Sequence, residues 1–495
     1  MSKDVEYTNR QIIPRFNRYA VSRVVEDAHS QPGALFQSFK GEEFIDKRDA
    51  FAQLPGRVSA SELMGSAHLG NMLNDGIVND AARLVLSDKR STILEKELAE
   101  IVLGRSFSPS KNEVVVDGSA QIYGEIRQLK KLIRLYSRNP IAWIDAAFFY
   151  TVLGQYDKAY RCINTALALN GNNRFILRSA ARFFVHAGDG ERALDILRRS
   201  DLSKSDPWVL SAEIAVSEAL NLPSKRITPA IVEINSSRHK ASDVSELLGT
   251  LGTLEYNSGS IKNARKYLRA ASGAANENTL AQIEWIGPKI GANIARAVSN
   301  VPANYEADAR RSFRANNFKE ALENSESWSA YQPFSSRPYI YSTYIALLGL
   351  DSPEKVKEIV DGASPSSKNE FVLKANLVCA LALLNEVPKA QVLLDELKAL
   401  GEDDSDSGQI MANQGLIDFR KGLVDEGRAG YQSAISFYQS ADNLHSATTA
   451  KAFWAAEEAK IDRTAGRKLF DEVEKAAKDN DWNELSSFVS RHKNK

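Results

Sequence analysis

Two consecutive stretches, NPIAWIDAAFFYTVLGQYDKAYRCINTALALNGNN and RFILRSAARFFVHAGDGERALDILRRS, set apolar and polar residues in nearly the same order between Asn139 and Ser200. In each, apolar residues recur at helical spacing, stop at a glycine, and resume at helical spacing. That predicts two helices joined by a short turn. Gly154 and Gly188 stand 34 residues apart, as do Ala147 and Ala181, Tyr150 and Phe184, and Ala159 and Ala193. The residue types have physical reasons. The two helices of a pair cross closely, so Ala147 and Ala159 must be small, while Trp143, Tyr150 and Tyr156 fill the space around them. Gly154 ends the first helix because that turn favours a left-handed backbone. One pair leaves an apolar face uncovered and the next covers it, so the pairs come in series.

The pattern returns downstream. ELLGTLGTLEYNSGSIKNARKYLRAAS places Leu248, Gly252, Gly259, Ala264, Leu268 and Ala271 at matching offsets. YEADARRSFRANNFKEALENSESWSAYQP supplies Tyr305, Ala309, Phe318, Ala321 and a terminal Pro333. Val378, Asn385, Ala390 and Leu394 continue the series, and so do Gly415, Gly422, Gly427, Tyr431 and Ala434. Three copies are irregular: one has a lengthened turn around Pro223, RPYIYSTYIALLGLDSPEKVKEIV is shifted by about one residue, and 275–305 is interrupted by Pro288 and two glycines. The period predicts about nine to ten helical pairs between Gln121 and Lys460.

A 34-residue helix–turn–helix period resembles the tetratricopeptide repeat (TPR) superfamily, with Trp143, Ala147, Tyr150, Gly154, Ala159 and Ala166 at its usual positions. The resemblance implies an all-α fold, a right-handed α-solenoid of stacked TPR-like helix hairpins with a mainly helical N-terminal region. The expected organisation is an N-terminal capping or docking region over 1–120, repeat arrays over 121–285 and 286–460, and C-terminal capping helices over 461–495. In 1–120, NEVVVDGS reads as a short strand. More narrowly, 121–272 resembles the TPR component of bacterial conflict systems paired with a PIN-type nuclease. That implies a partner protein that does the chemistry while this chain senses, tethers or restrains it. The sequence departs from the chaperone-binding members of the superfamily, because Ile144 and Phe148 stand where their peptide clamp would need Lys and Asn.

The 495 residues carry 63 basic and 63 acidic side chains, so there is no overall field to draw the chain to nucleic acid or an anionic membrane. Cys162 and Cys379 sit in apolar helical stretches and read as buried small hydrophobes. The first twenty residues lack the apolar core of a secretory signal, and the apolar run Leu377–Leu384 is too short to span a bilayer. A cytoplasmic location is expected.

Candidate chemistry is sparse. His29, His68, His186, His239, His445 and His492 are scattered without metal-ligand spacing. There is no phosphate-cradling Gly-rich loop and no nucleophile elbow. The acids of FIDKRDAF and AAEEAK read as solvated helix faces. No catalytic residue, metal or cofactor is expected. The basic positions are more pointed. In the superfamily the first helix of each pair lines a concave groove, and that register places Ile144, Phe148, Arg178, Arg182 and Arg310 there. Arg127, Lys130, Lys131, Arg134 and Arg138 form a basic stripe on the helix before the first repeat. An apolar patch beside arginines suits an amphipathic or extended partner peptide, although the N-terminal region could equally cover Ile144 and Phe148. The expected function is therefore a non-catalytic protein-interaction scaffold. The alternatives are an enzyme with its site in 1–120, or a nucleic-acid binder acting through the arginine faces.

Overall fold

Asn139, Asn173 and Asp206 open the first helices of three successive hairpins, and each side chain accepts from backbone N–H groups in the first turn of its helix. These caps recur at the repeat period because every hairpin must satisfy the same unpaired donors. The computed structural model describes residues 10–16, 41–69, 75–104, 118–236, 238–291, 301, 303–400 and 406–493. Among them all regular structure is helical. Most of the strand-like NEVVVDGS lies outside the described residues.

Four helices come first: α1 (Gly41–Gln53), α2 (Arg57–Leu69), α3 (Gly76–Ser87) and α4 (Ile93–Val102). They bury Phe44, Phe51, Leu63, Met64, Val78 and Leu98 in a core of their own. Helix α5 (Gly118–Leu135) turns Ile126 and Leu129 onto the first hairpin. The hairpins follow in order: α6 (Pro140–Val152) with α7 (Tyr156–Asn170), α8 (Arg174–His186) with α9 (Gly190–Arg199), α10 (Pro207–Ala219) with α11 (Ile227–Asn235), and α12 (Ala241–Asn257) with α13 (Ile261–Ser272). After α14 (Glu277–Ile286) come α15 (Tyr305–Arg314) with α16 (Phe318–Tyr331), α17 (Arg337–Tyr344) with α18 (Pro353–Asp361), and α19 (Phe371–Leu383) with α20 (Val387–Leu400). The series closes with α21 (Ser407–Arg420) and α22 (Val424–Ser440), α23 (Leu444–Glu458) and α24 (Arg463–Asp479), and α25 (Asn483–His492). This is an α-solenoid of TPR-like hairpins, and no described helix is long and apolar enough to cross a membrane.

The small positions behave as the packing argument requires. Ala147, Ala159, Ala181 and Ala193 are fully buried, and Gly154 and Gly188 take left-handed φ values of 68° and 81°. Where the repeat lacks glycine, Asn221, Asn316 and Asn385 adopt the same conformation, which asparagine tolerates better than most residues. The irregular copies also resolve. The long turn around Pro223 joins α10 to α11, and Arg198 donates to the Pro223 carbonyl at 2.9 Å. The one-residue shift in RPYIYSTYIALLGL comes from a π-helical turn over Ile345–Gly349, where Leu350 N–H reaches back to the Ile345 carbonyl. A wider turn absorbs one extra residue without ending the helix.

The array curls until it meets its own beginning. Phe334, after α16, packs edge-on against Phe148 at 5.9 Å and His186 at 5.1 Å. Beyond α18, Ser366 N–H donates to the Val152 carbonyl at 3.3 Å. At the other end, Phe470, Val473, Leu485 and Phe488 pack on Ala452 and Ala455. Helix α25 also reaches back to earlier hairpins: Tyr344 donates to Glu484 at 3.1 Å, and Asn483 donates to the Arg314 carbonyl. One expectation is corrected. Glu457 and Glu458 of AAEEAK are buried, not solvated, because Arg420 and Arg428 on the neighbouring hairpin neutralise them. Cys162 is buried, and burial pushes its thiol up to about 11.

Candidate peptide-binding groove

The first helix of each central hairpin presents polar side chains to the inside of the curl. Ser211 of α10 and Thr250 of α12 share a hydrogen bond at 2.8 Å. Asn278 of α14 donates to Glu246 of α12 at 2.8 Å, and Gln282 of α14 donates to Thr253 at 2.9 Å. Asn278 and Gln282 are four residues apart and so share one helix face. Glu306 projects from the first turn of α15 into the same space and is 2% exposed. Polar groups buried this deeply need partners, and much of what they hold comes from the opposite end of the chain.

Residues Arg10–Phe16, sequence RQIIPRF, lie along this inner wall without regular structure, and all seven are buried. Their backbone is gripped by side-chain amides: Asn278 donates to the Ile13 carbonyl at 3.0 Å and Gln282 to the Arg10 carbonyl at 2.7 Å. Their charges are gripped by Glu306. Its Oε1 accepts from Arg10 Nε at 2.8 Å, and its Oε2 accepts from Arg15 Nη2 at 2.8 Å. Arg10 also reaches Gln282 and Asn278 through its other guanidinium nitrogens, and Arg15 donates to Gln332 at 2.9 Å. The apolar residues fit shaped positions. Gly249 leaves room for Ile12, whose Cδ1 would lie 2.6 Å from any added Cβ. Phe16 enters a cage of Phe148, Phe183 and Phe334, with ring centroids 5.6, 6.5 and 5.6 Å away. The contacts with Phe148 and Phe183 are edge-to-face, which adds to simple burial.

Four guanidiniums converge on Glu306, because Arg310 at 3.2 Å and Arg337 at 2.8 Å join Arg10 and Arg15. Burial pushes the Glu306 carboxyl up, but the fields of Arg10, Arg337, Arg15 and Arg310 together outweigh it and hold it well below the usual carboxylate range. Burial in turn pulls Arg10 down to about 9, against the opposing attraction of Glu306.

The residues picked from the repeat register have mixed fates. Phe148 faces the groove and is covered by Phe16, and Arg310 joins the Glu306 cluster. Arg178 and Arg182 also face inward. Arg178 pairs with Glu246 at 2.7 Å and lies 4.7 Å from the Trp208 ring centroid, and Arg182 sits 5.7 Å from that of Phe334. Ile144 is fully buried in the core of the first hairpins and lines no open surface. The stripe Arg127, Lys130, Lys131, Arg134 and Arg138 is exposed, and none of the five has an ion-pair partner among the described residues. Tyr123, Leu132, Leu135 and Tyr136 are exposed on the same stretch.

The register missed Glu306, Asn278 and Gln282, and it missed the RQIIPRF segment. A helix-first residue such as Glu306 reads as an N-terminal charge favoured by the helix dipole. Only the spatial convergence of four arginines shows otherwise. Among the described residues no group of three or more His, Cys, Asp or Glu side chains is arranged to hold a metal ion.

No family model matches the chain. Among solved structures it is similar to the crystal structure of the APC/C hetero-tetramer Cut9–Hcn1, with 14% identity, a TM-score of 0.39, and coverage of 96% of this chain and 90% of that one. It is also similar to yeast Tom70 at 13% identity and a TM-score of 0.29, covering 75% of this chain and 92% of that one. An IFIT1 monomeric mutant with Gppp-AAAA matches at 12% identity and a TM-score of 0.35, covering 88% and 99%. At these scores the likeness carries no functional argument.

Proposed function

We propose that this chain is a non-catalytic scaffold that holds a partner protein through the inner wall of its helical array. The observation that carries the reading is how the wall treats Arg10–Phe16: amides on the backbone, a carboxylate on the arginines, and an aromatic cage on the phenylalanine. That division of labour, with backbone contacts for affinity and pockets for identity, is how peptide-recognition domains work. Affinity capture with the full chain from its native cell is the test. One partner protein, enriched on the intact wall and lost with Arg182→Glu or Phe148→Asp variants that keep their helical content, is the expected result. Identical captures would remove the reading. A PIN-type nuclease is one partner class this experiment would identify.

A second contact surface is supported by the exposed stripe on α5. Five cations without carboxylate partners among the described residues, beside exposed Tyr123, Leu135 and Tyr136, suit an acidic protein surface. Lys130→Glu, Lys131→Glu and Arg134→Glu together should slow association with such a partner and abolish its salt dependence, leaving the melting temperature within about 2 °C, as exposed substitutions generally do. Salt-independent binding by the unaltered chain would remove this second surface.

A further inference from the structure

The wall described above is already filled, and by a segment nearly three hundred residues distant in sequence from Glu306. Two features distinguish that filling from ordinary core packing. First, the segment has no regular structure, and two of its carbonyls are met by side-chain amides from one helix face. Those contacts read a main chain, so they accept any extended peptide of the right direction. Second, the specific contacts lie at fixed offsets. Arginines at the first and sixth positions share one carboxylate, an isoleucine at the third rests on Gly249, and an aromatic at the seventh enters the Phe148–Phe183–Phe334 cage. The wall without the segment would be a slot with amides for a main chain, the Glu306 carboxylate for arginines and an aromatic cage at its end, shaped for an extended peptide of the segment's own chemistry.

We propose that Arg10–Phe16 is a built-in ligand of this groove, and that the partner engages it with an extended peptide of the same chemistry, arginine–x–aliphatic–aliphatic–x–arginine–aromatic, by displacing the chain's own segment. The proposal rests on the scaffold reading and adds the occupant's identity and a gate. The segment belongs to the same chain as its groove, so it competes intramolecularly, at an effective concentration taken as on the order of 1 mM. A free peptide of intrinsic Kd about 10 μM would then bind the intact chain about a hundredfold more weakly than a chain whose own segment has been weakened. Partner binding is gated accordingly, and a partner succeeds through higher affinity or through a second contact that raises its own local concentration.

The test uses a fluorescent peptide spanning residues 8–18, titrated by anisotropy into the full chain, the full chain with Arg10→Ala and Phe16→Ala, and that double variant with Glu306→Gln added. The expected result is at least tenfold tighter binding to the double variant than to the intact chain, lost again when Glu306 is replaced. Equal binding to the first two, or no binding to a double variant that keeps its helical content, overturns the proposal. Should the double variant fail to fold, a protease site placed within 17–40 of the otherwise unaltered chain decides it. After cleavage of the folded protein, native mass spectrometry follows replacement of the N-terminal fragment by excess labelled peptide. Replacement supports the proposal, and a fragment retained without exchange makes it a permanent part of the core. A partner captured equally by the intact chain and the double variant would leave the scaffold standing and sink the gate. Peptide exchange with no partner captured would do the reverse.

Discussion

Glu306→Gln changes one atom of a side chain that is 2% exposed and touches four guanidiniums. In the native chain Oε1 accepts from Arg10, Arg310 and Arg337, while Oε2 accepts from Arg10 Nη2 at 3.1 Å and Arg15 Nη2 at 2.8 Å. A glutamine amide can keep only one of those oxygens. Its –NH₂ then points at two guanidinium donors, so two charge-assisted hydrogen bonds are lost, at about 1.5–3 kcal/mol each. The remaining buried cations also lose their counter-charge, and removal of one member of a buried ionic group costs about 3–5 kcal/mol. The two estimates describe the same loss from different sides and agree on about 3–5 kcal/mol. Because solenoids open in sections, the loss should be read locally, by hydrogen exchange over 10–16, 277–286 and 305–314, together with the first thermal transition. A variant with unchanged exchange there and an unchanged first transition would refute the reasoning. The same carboxyl sets a pH signature. Its folded-state titration lies well below the ordinary 4.5, so its contribution is complete above about 4.5 and is lost as the pH falls through the depressed folded value. The acid-side decline in stability should therefore be shallower in Glu306→Gln than in the native chain.

Gly430→Ala should destabilise α21 and α22 by about 1–3 kcal/mol, because the new Cβ would lie 2.8 Å from the Gly415 Cα. A higher melting temperature, the ordinary result of replacing a helical glycine, would show that the two backbones do not touch. Ala159→Trp should loosen the first hairpins by at least about 3 kcal/mol, since Ala159 is fully buried where the two helices cross and overpacking there has no outlet. Unchanged circular dichroism and melting would mean that Ala159 does not lie at the crossing.

Much of the wall's architecture was legible from the chain alone, and the reason is local. A hairpin needs small residues where its helices cross, a left-handed residue at its turn and a cap at its start, all within 34 residues of one another, so Ala147, Gly154 and Ala159 announce it before any folding is considered. Even the one-residue shift before Leu350 was visible as a broken period, although only the backbone showed a π turn as its cause. The inward-facing arginines were placed by the same periodicity, which knows which face of a helix a residue occupies but not what meets it there.

What meets it was decided by the tertiary structure. Curvature accumulated over many hairpins brings Phe334 onto Phe148 and Ser366 onto Val152, contacts between residues some two hundred positions apart that no local pattern encodes. The same curvature brings arginines at 10 and 15 to the carboxylate that Arg310, one turn along its own helix, and Arg337 also share. A seven-residue stretch such as RQIIPRF carries no periodicity because its partners are spread over several helices of a wall. Its role follows from charge and shape complementarity across space, which exist only once the array has closed around it.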